Sequence, residues 1–81
     1  MIKRRVFLHG PADLIKKPFI YQLVKDYDIV PYIRRANVLE KETWMILELE
    51  AQDAERMERG INFLRQTGAN VEPVEGDVVE S

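Results

Sequence analysis

Residues 43–51 read TWMILELEA, and their alternation decides the fold. Met45, Leu47 and Leu49 fall on one side of an extended chain, with Trp44, Ile46, Glu48 and Glu50 on the other. A period of two with carboxylates on one side predicts a half-buried strand. Just upstream, Glu40-Lys41-Glu42 is a charged turn, and residues 29–39, IVPYIRRANVL, read as a second strand leading into it. The economical arrangement is a β-hairpin. In the earlier strand Ile29, Ile33 and Leu39 share one parity while Val30, Tyr32, Ala36 and Val38 share the other. Its core face stays open on this pattern, and a β-bulge is one way to reconcile the two sets.

Working outward, Asp53 is placed to cap a helix in which Ala54, Met57, Ile61 and Leu64 recur at helical spacing. Gly68 suits the left-handed position that closes such a helix, and residues 70–74, NVEPV, form a short last strand. Towards the N-terminus, residues 3–9, KRRVFLH, alternate Val6 and Leu8 with Arg5, Phe7 and His9, a first strand that Gly10-Pro11 should break. A connector at residues 12–17 leads to Pro18, a residue favoured at the first helical position. Ile20, Leu23, Val24 and Tyr27 then mark a helix over residues 18–27.

The order β-α-β-β-α-β predicts an α+β, ferredoxin-like domain. Its four-stranded antiparallel sheet has spatial order 4-1-3-2, with both helices on one face. Pro31 and Pro73 fall on the two strands this order puts at the edges, where a missing N–H is tolerated. The domain is expected over residues 1–74, followed by an acidic tail, EGDVVES, at 75–81.

Composition narrows the chemistry. The 81 residues include no cysteine, one histidine (His9) and one serine (Ser81, the last residue). Nucleophilic catalysis by serine or cysteine with a histidine base lacks its parts, and common zinc sites lack their ligands. No pairing of Asp and Glu is recognisable, so no catalytic residue, metal or cofactor is assigned, and a non-enzymatic role is expected. No apolar run approaches the roughly 18 residues of a membrane helix, so membrane insertion is not expected and a cytoplasmic location is. Charge is uneven along the chain: residues 1–39 hold 8 Lys/Arg against 3 Asp/Glu, and residues 40–81 hold 4 against 11. Strand order interleaves these halves, which should attract one another on folding. Nucleic acid is not an expected partner, because Glu48 and Glu50 share a face with Trp44 and the isoelectric point is about 5.4.

The stretches PFIYQLVKDYDIVPYIRRANV and WMILELEAQDAERMERGINFLRQTGANVEPV resemble the NIL domain family. The likeness runs from about Arg4 to Val74. That family consists of ferredoxin-like, ACT-like modules found at the C-terminus of methionine-importer ATPase subunits and ahead of some ferredoxin modules. The resemblance implies a regulatory, homodimeric domain that binds a small amino-acid-like ligand. Here the family's Asn-Ile-Leu triplet is replaced by Tyr32-Ile33-Arg34, which removes the triplet's amide. With neither ATPase sequence nor ferredoxin cysteines, the chain reads as a stand-alone version.

Two sets of residues follow as candidates. Phe7, Tyr32, Trp44 and Ile46 are expected on the sheet face that the helices leave open, as an interface. Tyr32, Ile33, Arg34 and Arg35 are expected to hold a small ligand, an arginine pairing with its carboxylate. Adjacent arginines should point to opposite faces unless a bulge intervenes, and one of them should pair with an acidic residue of the third strand. His9 is expected to be an ordinary strand-end residue. The function expected is a regulatory or adaptor domain. The alternative is a protein-interaction subunit that docks on an enzyme or redox complex without a small ligand.

Overall fold

The alternation in TWMILELEA becomes an inner strand of a four-stranded sheet in the computed structural model, which describes residues 1–74. The expected acidic tail lies outside the described residues. In chain order the elements are β1 (Ile2–Pro11), a 3-10 helix (Ala12–Lys16), α1 (Phe19–Tyr27), β2 (Val30–Val38), β3 (Glu42–Ala51), α2 (Ala54–Gln66) and β4 (Asn70–Pro73). The sheet order is β2-β3-β1-β4, every pairing is antiparallel, and β2 and β4 are the edges. This is the expected ferredoxin-like arrangement.

Along β3, Thr43, Met45, Leu47, Leu49 and Ala51 are buried, and the residues between them are half-buried on the other face. β1 supplies Val6 and Leu8 to the same buried layer, while α2 supplies Met57, Ile61 and Leu64. Thr43 is the buried polar residue, and its hydroxyl donates to the Asn37 carbonyl at 3.2 Å across the hairpin, so burying it leaves no unmet donor.

Several local expectations change. Gly10-Pro11 does not end β1, which continues to Pro11 in register with Glu42. The β1–β4 register runs only as far as His9 and Asn70. Arg5 accepts from Val74 on the β4 side, and residues of the same parity, including Pro11, turn their backbone that way. The missing N–H of Pro11 therefore falls beyond the end of β4, where there is no ladder to interrupt. Pro18 sits at the N-cap of α1 instead of inside it. The connector winds into the 3-10 helix and buries Leu14. In α1 the core residues are Phe19 and Leu23, whereas Val24 is half exposed. In α2, Ala54 lies outside the core and Gly60 inside it.

Both helix ends follow backbone rules. Asp28 closes α1 in the left-handed conformation at φ 56°, with its own N–H and that of Ile29 returning to the Leu23 carbonyl. Gly68 takes φ 102° after α2. At the other end of α2, Asp53 Oδ1 accepts from the Arg56 N–H at 2.9 Å, the expected cap. Asp53→Ala should cost about 1 kcal/mol in chemical denaturation. Asp53→Asn should retain most of it, because the amide oxygen can still accept.

The charge asymmetry is absorbed by the sheet and its helices. Lys3 meets Glu50 at 3.4 Å, Arg5 meets Glu48 at 3.1 Å, and Arg4 meets Glu58 at 2.9 Å. Each pair joins the basic half to the acidic half. These pairs are solvent-accessible, so each adds only about 0–1 kcal/mol.

Candidate functional site

The residues expected to form sites lie mainly on β2 and on the open sheet face, and the register assigns each a side. β3 residues of even number face away from the helices. Val30, Tyr32, Arg35 and Asn37 register opposite Glu50, Glu48, Ile46 and Trp44 and share that open face. Pro31, Ile33, Ala36 and Val38 register opposite buried β3 residues and point to the helix side.

The shift in register between Ile33 and Arg35 is a bulge, and Arg34 is the extra residue. It resolves the mixed parity of the sequence: each half of the strand alternates regularly, but the halves are out of phase. It also changes where the arginines go. Arg35 registers on the open face, and the Arg34 guanidinium reaches Glu48 Oε1 at 3.7 Å on that same face. The two neighbours thus form one patch. Pairing of one arginine with an acidic residue of β3 is observed, but Glu48 also takes Arg5 at the shorter 3.1 Å. Arg35 makes no ion pair among the described residues. Tyr32 lies beside the patch, with its hydroxyl 3.5 Å from Glu50 Oε1. Ile33 does not join them; it points to the helix side and is 56% exposed.

The open face has a second, separate cluster. Phe7 lies 5.9 Å from Trp44 and 5.0 Å from His9, ring centre to ring centre, with Ile46 in register beside Phe7. These side chains are half-buried against one another. Tyr32 stands four β3 positions from Trp44 in register, so Phe7, Trp44 and Ile46 form one group and Tyr32 belongs with the arginines. His9 Nε2 is 3.7 Å from Glu72 across the β1–β4 pair, as suits a residue near the end of a strand register. Among the described residues no group of His, Asp and Glu is arranged to hold a metal.

The outer strand is unusual in its exposure. β1 and β3 each bury residues on the helix side, but on β2 every residue except Pro31 is exposed. Val30, Tyr32, Ile33, Val38 and the adjoining Leu39 are each more than two-fifths exposed, and Tyr21 and Val24 of α1 extend the apolar surface. Sequence periodicity counted Val24 as core because spacing cannot tell which flank of a helix lies over a sheet margin. Glu50 and Glu48 bond towards β2 through Val30 and Tyr32, so Pro31 and Ile33 turn their backbone to the free edge. Proline there costs the internal ladder nothing.

Comparisons with known proteins bear on the family and the fold. The NIL domain family model matches residues 4–73. Among solved structures, the C-terminal domain of an ABC transporter ATP-binding protein from Enterococcus faecalis superposes with a TM-score of 0.78. It is 18% identical and the match covers 91% of this chain and 86% of that one. The C-terminal domain of the MgtC protein from Mycobacterium tuberculosis gives 0.54 at 16% identity, covering 96% and 93%. At such identities the likeness speaks for the fold. No curated protein matches the chain. No described helix is long and apolar enough to cross a membrane.

Proposed function

The chain belongs to the NIL domain family, and from that premise we propose that it is a non-enzymatic regulatory domain that works as a homodimer through the outer edge of β2. The observation that carries this reading is the exposed nine-residue strand β2, which bears Val30, Ile33 and Val38 and whose outer edge is unpaired among the described residues. A long bare edge offers unpaired backbone donors and acceptors, and proteins normally shield it. A second copy laid antiparallel would pair those groups and bury Ile33, Val38 and Leu39 together with Tyr21 and Val24 of α1. The edge is favoured over the Phe7–Trp44 cluster because the cluster already buries much of its own surface. Tyr32, Arg34 and Arg35 make the regulatory site, the guanidinium groups receiving the anionic group of a small ligand.

Sedimentation equilibrium tests the dimer. At high micromolar concentration the wild-type chain should exceed its 9.5 kDa monomer mass and approach twice that value. Ile33→Glu puts two like charges into the shared edge and should weaken association by at least about tenfold, roughly 1.4 kcal/mol. A wild type that stays monomeric in every buffer, phosphate included, would reject the reading. The aromatic cluster supports a second reading, in which Phe7 and Trp44 dock a protein partner. Trp44→Ala would then abolish partner capture without changing self-association.

A further inference from the structure

We propose that the β2 bulge forms a binding site for a compact dianion, a phosphate or dicarboxylate group, shared between two copies of the chain, so that the anion controls dimerisation. The inference rests on the dimer reading above and names the ligand class and the regulation of that site.

The charge balance at the bulge points to a dianion. The bulge brings Arg34 and Arg35 to one face, where strict alternation would have separated them. Glu48 is the carboxylate within reach of Arg34, and it is engaged more closely by Arg5. Arg35 has no ion pair among the described residues. Two guanidinium groups therefore share part of one negative charge, and both are exposed. A zwitterionic amino acid would bring an ammonium group into this surplus. A dianion instead matches it, and planar guanidinium forks bind carboxylate and phosphate oxygens in pairs. A long polyanion fits poorly, because Glu42, Glu48, Glu50 and Glu72 are spread along the same face.

The link to assembly comes from the position of the bulge along the strand. Arg34 is the midpoint of Val30–Val38. If pairing starts beyond Pro31, which offers no donor to the free edge, the midpoint of residues 32–38 is Arg35. An antiparallel self-pairing puts its two-fold axis at the midpoint. Both registers bring two Arg34-Arg35 pairs together, four cations around one axis. Such a dimer is strained by like-charge repulsion until an anion enters between them. Because the ligand binds the paired form better, it must tighten pairing by mass action, and pairing must tighten its binding equally.

Sedimentation equilibrium in chloride, inorganic phosphate, succinate and methionine, all at one ionic strength, tests this directly. Phosphate or succinate should lower the dimer dissociation constant by at least about tenfold relative to chloride, and which of them acts identifies the source of the dianion. The double variant Arg34→Gln/Arg35→Gln should dimerise in chloride at least as well as the wild type and lose the response. That variant also separates site binding from the general salting-out effect of phosphate, which it would retain. A wild-type dimer constant equal in chloride, phosphate and succinate overturns the inference and leaves the dimer intact. So does a response to methionine alone, which would favour the amino-acid ligand. A chain monomeric in every buffer overturns both.

Discussion

Leu47→Ala should destabilise the domain by about 2–5 kcal/mol, the range for deleting a buried leucine when its surroundings only partly close the cavity. Leu47 lies on an inner strand, is fully buried, and registers between Val6 and Ile33. It is enclosed in the core cluster, so little room exists for water to replace the lost side chain. A domain of this length commands roughly 4–12 kcal/mol in all. The variant should therefore melt well below the wild type, by about 4–8 °C for each kcal/mol. Ile33→Ala is the matched control, because Ile33 is the cross-strand neighbour of Leu47 but more than half exposed in a single chain. Measured on monomer at low concentration, it should cost less than about 1 kcal/mol. Equal losses at the two positions would mean that the outer strand is covered as well as the inner one.

The effect of Gly60→Ala should depend on the residue at position 29, being less favourable with Ile29 than with valine there. Gly60 faces the core from the middle of α2, and a Cβ there would overlap Ile29 Cδ1. Leu23 Cδ2 is 3.4 Å from the same point, so the Cβ meets a second core side chain as well. Alanine in a helix gains about 1 kcal/mol over glycine. Overpacking a close-set core costs about 1–3 kcal/mol, so the net effect runs from about zero to a loss of about 2 kcal/mol. Ile29→Val removes Cδ1 and with it the clash. In that background Gly60→Ala should be neutral or stabilising by up to about 1 kcal/mol. Chemical denaturation of the four proteins gives the coupling between the two sites. If Gly60→Ala costs the same with either residue at 29, the close approach of α2 to Ile29 is not what requires glycine.

Most of the fold is legible in the sequence because two physical signals are local. The period of two in TWMILELEA reports a strand buried on one face, and the Asp53 cap reports a helix start, both without reference to the rest of the chain. Pro31 and Pro73 add topology, since each marks an edge. Misplaced residues depend on what lies opposite. Pro11 extends β1 because β4 is too short to oppose it, and nothing near Pro11 in the chain records the length of β4. Val24 has helical spacing but lies over the sheet margin. Gly60 is silent in any hydrophobic count, although it is the residue that lets Ile29 reach α2.

The candidate site was legible in its ingredients and not in its arrangement. Arg34-Arg35 stand out in the sequence, and the mixed parity of residues 29–39 carried the sign of a bulge. Whether that bulge joins or separates the arginines depends on which residue is extra. Only the register with β3, Ile33 to Leu47 and then Arg35 to Ile46, settles it. The same register removes Ile33 from Tyr32 and the arginines, and separates Tyr32 from Trp44.

The unequal edges of the sheet limit how many copies can join. β4 is four residues long and ends at Pro73, whereas β2 runs for nine. A strand-to-strand filament needs two usable ends on every subunit. Among the described residues this sheet has one long edge and one short. If copies pair through β2 as proposed, each uses up the one long edge among the described residues, and growth through that edge would stop at two.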